Sequence, residues 1–148
     1  MKISIACDHG GYAYKEKIVS FLSELGHEVI DCGTYSTDSC HYPLFAIKAA
    51  EMVSNGSVDR GVVICRSGEG VSIAANKVKH VRCALAYNKT VAHLCREHND
   101  ANMIAFGADY FTIDEVKDML VEFLNTEFAK GKHEERVNMI KNYEDSAK

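Results

Sequence analysis

The sequence predicts an α/β fold: one five-stranded parallel sheet with helices on both faces and an extra C-terminal helix. Two observations predict it. Short apolar runs alternate along the whole chain with longer segments whose apolar residues recur at helical spacing. Turn formers, among them Gly26, Asn55-Gly56 and Lys130-Gly131-Lys132, punctuate the alternation. With 148 residues, 47% apolar and 26% charged, the chain is expected to form a single domain, 1–148, with a substantial core.

The elements follow in order. Residues 2–7 read as the first strand. Residues 12–25 read as a helix with Ile18, Phe21, Leu22 and Leu25 on one face, stopped by Gly26. Residues 28–32 form the second strand and 33–41 a polar loop. Pro43, the only proline, suits the first turn of a helix reaching residue 54. Gly-Val-Val-Ile-Cys at 61–65 is the most strand-like run. The glycine-rich loop Ser67-Gly68-Glu69-Gly70 leads from it into a helix over 71–78. A fourth strand at 82–86, a helix at 90–97 and a fifth strand at 103–106 come next. Thr112-Ile113-Asp114-Glu115 is a capping box that opens a helix to about 128. A last amphipathic segment, 134–143, carries Val137, Met139 and Ile140. It needs a surface, either on its own domain or on a second subunit.

Composition removes several function classes. The net charge is −4 and no dense basic stripe appears, so nucleic acid is not an expected partner. No apolar run approaches the ~20 residues of a membrane span. The first seven residues are soon interrupted by Asp8 and His9, unlike a signal peptide, so a cytoplasmic location is expected. The six cysteines show no Cys-x-x-Cys and no zinc-finger spacing. They are expected to be unpaired and mostly in the core, with no structural metal.

In an open parallel sheet, ligands bind beyond the carboxyl ends of the strands where the strand order reverses. For five strands that places the first and third side by side. Their following loops are Asp8-His9-Gly10-Gly11 and Arg66-Ser67-Gly68-Glu69-Gly70. Cys65 ends a buried strand just before a helix N-terminus, where free N–H groups and the helix dipole favour a thiolate. Gly68 and Gly70 let backbone amides approach a bound oxygen, which suits a phosphate, an oxyanion formed during reaction, or simply a tight turn. Asp8-His9 reads as an acid/base pair or as a helix cap. His98 and Asn99 lie in a run of turn formers before the fifth strand. Lys132, His133 and Arg136 form a solvated helix face or a phosphate clamp, for which the Arg136 guanidinium has the matching fork.

These residues resemble a known family. Cys7-Asp8-His9-Gly10-Gly11, Asp31-Cys32-Gly33-Thr34, Tyr42-Pro43, Ser72-Ile73-Ala74-Ala75-Asn76-Lys77, His98-Asn99-Asp100-Ala101-Asn102 and Gly131-Lys132-His133-Glu134-Glu135-Arg136-Val137 are similar to the type B ribose-5-phosphate isomerases and to the galactose- and allose-6-phosphate isomerases. The resemblance implies a three-layer Rossmann-like sandwich, a homodimer or dimer of dimers with active sites at the subunit interface, and no metal or organic cofactor. It implies isomerisation of a sugar phosphate, ribose 5-phosphate first and a six-carbon phosphate as the alternative. A binding module that does not turn the sugar over is the other alternative. By resemblance Cys65 moves the proton and Ser67 assists. The amides around Gly68 and Gly70 hold the enediolate. His98 helps open the sugar ring, with Asp8 on the hydroxyls. Asn99 and Tyr42 bind substrate, and His9, Lys132 and Arg136 face the phosphate.

The chain also departs from the family pattern. Arg66 and Glu69 stand in the loop after Cys65 where small or neutral residues are usual. Asp109 stands where an arginine is usual, and Lys132 replaces another. Arg66 is therefore expected either to bind the substrate phosphate or to pair with Glu69. Both are counted as candidate substrate contacts, and Glu69 is a lesser candidate for the base.

Overall fold

A computed structural model describes residues 1–147. Five parallel strands form one sheet in the order β2-β1-β3-β5-β4. They are β1 (Lys2–Cys7), β2 (Glu28–Asp31), β3 (Arg60–Cys65), β4 (Cys83–Leu85) and β5 (Met103–Gly107). The helices are α1 (Tyr12–Glu24), α2 (Tyr42–Ser54), α3 (Glu69–Ala75), α4 (Lys89–Glu97), α5 (Ile113–Asn125) and α6 (Lys132–Ser146).

Alternation along the strands divides the core into two layers. Ile3, Ile5 and Cys7 of β1, Val62 and Ile64 of β3, and Ile104 and Phe106 of β5 pack toward α1, α4 and α5. Ala6, Val63, Cys65, Met103 and Ala105 face α2 and α3, whose contact residues are mostly alanines. Ser4 on that second face donates to the Ala49 carbonyl of α2 at 2.9 Å, so its hydroxyl is buried but paired. Each large apolar side chain buried this way contributes about 1.5–3 kcal/mol. Helix α6 stands outside the layers. Val137 is its only buried residue, and Glu144 accepts from the His80 N–H at 2.8 Å.

The capping box forms as the sequence predicts. Thr112 Oγ1 accepts from Glu115 N–H at 3.2 Å, and Glu115 Oε2 accepts from Thr112 N–H at 2.7 Å. Three of the boundaries that differ from the sequence reading have a visible cause. Helix α3 starts at Glu69 rather than 71, because Gly68, at φ +81°, turns the chain immediately before it. It ends at Ala75 because the Asn76 side chain leaves the helix path to hold both the N–H and the carbonyl of Cys83. Helix α5 stops at Asn125, where Thr126 turns extended and the chain crosses to α4, the Ala129 N–H donating to the Glu97 carbonyl at 3.0 Å.

One buried charge ties the β1 end of the sheet together. Lys15 of α1 is 1% exposed, and its ammonium lies 2.7 Å from Asp31 Oδ1 and also donates to the Thr34 carbonyl. The Tyr35 ring sits 4.6 Å from the same nitrogen. The Lys15 contacts thus fasten the loop after β2 to α1, beside the Cys7–Asp8 turn. Lys15→Met is predicted to cost about 3 kcal/mol, the low end for breaking a buried pair, because Asp31 keeps 34% of its side chain in water. Denaturant unfolding measures this, and a loss under about 1 kcal/mol would show the pair to be a bystander.

Candidate active site

The carboxyl ends of β1, β3 and β5 lie side by side, with Cys7 opposite Ile64 and Cys65 opposite Gly107. Three loops therefore meet above the sheet. The loop after β3 packs directly on β5: a Cβ at Gly107 would stand 2.5 Å from the Ser67 carbonyl oxygen, so no side chain fits there. The β5 loop bonds back in turn, Ala108 N–H to the Cys65 carbonyl and Asp109 N–H to the Arg66 carbonyl.

Cys65 is buried at this junction, and its Sγ accepts the Gly68 N–H at 3.1 Å. The amide thus points at the sulfur from the loop that follows it. Other thiols are in a different condition. Burial pushes the Cys7 and Cys83 thiols up to about 12 and Cys95 up to about 11, and it raises Cys32 as well. These four are the inert core cysteines that the sequence suggested, and all six are unpaired. The Gly68 amide, expected on the reaction oxyanion, is thus spent on the sulfur. Ser67 Oγ accepts the next amide, Glu69 N–H, at 3.2 Å.

Asp8 sits beside this loop. Its Oδ1 accepts from Gly10 and Gly11 N–H at 2.9 and 3.2 Å, as a turn-capping carboxylate does. His9 Nδ1 accepts the Cys40 N–H at 3.3 Å, which leaves Nε2 as the nitrogen available to a ligand. Tyr42 closes the other side: a Cβ at Gly70 would lie 2.7 Å from its ring, so only glycine admits the ring so near the loop.

Arg66 does not pair with Glu69. Its Nη1 lies 3.6 Å from Asp109 Oδ2, and Glu69 makes no ion pair among the described residues. The strand order explains this correction, because β5 is the neighbour of β3 and brings Asp109 across. With side chains 66% and 49% exposed, the pair contributes under about 1 kcal/mol, and Arg66 is loosely held. Its stem covers Gly10, where a Cβ would come within 2.5 Å of the Arg66 Cγ.

The remaining candidates are elsewhere. His98 and Asn99 follow α4 and precede β5, so they lie at the amino edge of the sheet. The four steps of β5 from Met103 to Gly107 separate that edge from the Cys65 level, about 13 Å of strand. Lys132 and Arg136 belong with them, for the His133 ring stacks on His98 with centroids 4.2 Å apart and planes within 10°. Partial burial, then the charges of His98, Lys132 and Arg136, hold His133 below the usual histidine range. One chain therefore brings together Asp8, His9, Tyr42, Cys65, Arg66, Ser67, Gly68, Glu69 and Gly70, and keeps His98, Asn99, Lys132 and Arg136 apart from them. The sequence reading missed Asp109 as the partner of Arg66, Cys40 against His9, and the His98–His133 stack. Only the last pair had a signal, two histidines in polar segments.

The fold sets a thiol, a carboxylate and a hydroxyl together at the carboxyl edge of a parallel sheet, and the chain is a sugar-phosphate isomerase by family. The family described as ribose/galactose isomerase matches residues 3–140, and the chain belongs to it. Ribose-5-phosphate isomerase B of Escherichia coli is 40% identical over 139 residues, 94% of this chain and 93% of that one. The solved ribose-5-phosphate isomerase B of Clostridium thermocellum superposes with a TM-score of 0.96 at 47% identity, covering 98% of both chains. The Mycoplasma genitalium enzyme with bound ribulose-5-phosphate superposes at 0.95 with 36% identity, covering 99% of this chain and 97% of its own.

The thiol environments predict the order of alkylation. Iodoacetamide at pH 8 should modify Cys65 and Cys40 in the native protein and leave Cys7, Cys32, Cys83 and Cys95 untouched. Peptide mass spectrometry reads this directly, and labelling of Cys83 ahead of Cys65 would contradict the assignment.

Proposed function

We propose that this chain interconverts ribose 5-phosphate and ribulose 5-phosphate in the cytoplasm, as a homodimer whose two active sites each use both subunits. The observation that carries the chemistry is the Cys65 sulfur held on the Gly68 amide, within a loop that also presents Ser67 and neighbours Asp8. The family membership and the ribulose-5-phosphate complex of a relative support the substrate.

The reaction moves one proton between neighbouring carbons. In the open-chain aldose, the Cys65 thiolate takes the proton from C2, and the C1 carbonyl becomes part of an enediolate. The thiol returns that proton to C1, while the proton on O2 passes to O1 and leaves a ketone at C2. An aldose α-proton is barely acidic, so the enediolate charge must be met by fixed dipoles. The amides of the first turn of α3 and the Ser67 hydroxyl serve that end. Arg66, loosely tied to Asp109, is free to turn to the anionic substrate, and His9 Nε2 is a further donor.

The homodimer reading rests on the division of the candidate residues between the two edges of the sheet. His98, Asn99, Lys132 and Arg136 act on the crevice of a second copy. Exposed apolar side chains are available for that contact: Tyr42, Leu44 and Ile73 near the crevice, and Met139, Ile140 and Tyr143 on α6. A groove of about 770 Å³ runs between α6 and the β4 edge, where Asn99 also lies. Among the described residues, no helix is long and apolar enough to cross a membrane.

Proton exchange followed by NMR in heavy water, with five- and six-carbon aldose and ketose phosphates, tests the activity. Deuterium should enter ribulose 5-phosphate at C1 as ribose 5-phosphate appears. Cys65→Ala should lower kcat by about 10²–10⁴ with little change in KM. If Cys65→Ala keeps most of the activity and Glu69→Gln loses it, the base is Glu69. If no sugar phosphate exchanges, the chain is a binding module.

A further inference from the structure

The amino-edge cluster extends beyond His98. Glu97 Oε2 lies 3.4 Å from His98 Nε2 and 3.6 Å from His93 Nε2, so one carboxylate faces two imidazoles. His93 is fixed from behind: its Nδ1 is 3.2 Å from Glu122 Oε2 and 3.1 Å from Thr126 Oγ1. Lys89 lies 3.5 Å from the other Glu122 oxygen. The Glu97 backbone is anchored as well, its carbonyl accepting the Ala129 N–H. The groups facing His98 are therefore Glu97 from α4, backed by His93 and by Glu122 of α5, and His133, Lys132 and Arg136 from α6.

We propose that Glu97 is a positioning residue for His98, holding the imidazole by Nε2 so that Nδ1 delivers a proton to the sugar ring oxygen, with His93 fixing Glu97 in turn. The inference rests on the reading of His98 as the ring-opening group of the partner's site. The step balances as follows. The C1–O4 bond of the furanose breaks with its electron pair left on O4, the His98 proton goes to O4, and the C1 hydroxyl gives its proton to water and becomes the carbonyl. The carboxylate beside Nε2 fixes which ring nitrogen is left to face the sugar. The surroundings of the stacked His133 favour its neutral ring.

Ring opening can be separated from the isomerisation chemistry. Ribose 5-phosphate is mostly furanose, whereas ribulose 5-phosphate is acyclic, because its C5 hydroxyl carries the phosphate. Deuterium exchange at C1 of ribulose 5-phosphate thus needs Cys65 but no ring opening. Glu97→Gln should lower kcat/KM for ribose 5-phosphate about tenfold or more and leave that exchange within about twofold of wild type. His98→Asn should show the same split, with the larger loss on the furanose. A split in His98→Asn beside wild-type rates for Glu97→Gln, or equal loss of both reactions in Glu97→Gln, would overturn the role of Glu97. Absence of the split in His98→Asn would remove the ring-opening role of His98, and that of Glu97 with it.

Discussion

A parallel strand fixes which of its neighbours can share a site, and β5 imposes that constraint here. Its five residues run from Met103, next to the His98–Asn102 segment, to Gly107, in register with Cys65. Every group placed by the loops after β1, β3 and β5 stands at one edge. Every group placed by the α4–β5 and α5–α6 connections that cradle His98 stands at the other. About 13 Å of strand cannot be bridged by a histidine side chain. On the proposed reading the single chain carries two half-sites on one frame, and a second copy is the simplest way to join them.

The frame is rigid where the thiol needs it. Gly107 and Gly68 let the β3 and β5 loops lie backbone against backbone, which presents the Gly68 amide to Cys65. Lys15 fixes the neighbouring loop after β2 from inside the protein. Five of the six cysteines are buried, so burial alone does not distinguish Cys65. The distinction lies in one N–H bond and in the position at the end of a strand.

Much of this was legible in the sequence. The five strands and the Thr112–Glu115 capping box follow from periodicity and short motifs, and the adjacency of β1 and β3 from the usual order of five-stranded parallel sheets. So does the convergence of the Asp8 and Cys65 loops. What was not legible depends on strand order: β5 lies between β3 and β4, which no local pattern encodes, and so Asp109 rather than Glu69 meets Arg66. Ends of helices were misplaced where a side chain takes over a backbone partner, as Asn76 does at α3. The placement of the candidate residues at two edges becomes visible only once Cys65 and His98 stand at opposite ends of parallel strands.

Subunit mixing tests that division most directly. Cys65→Ala and His98→Asn proteins, each nearly inactive on ribose 5-phosphate alone, are unfolded together and refolded as an equimolar mixture. Sites shared between subunits put both lesions into one site of each mixed dimer and leave the other site intact. With half of the dimers mixed, activity should recover to about a quarter of wild type. If each site were built within one chain, every site would carry one lesion or the other and mixing would restore nothing.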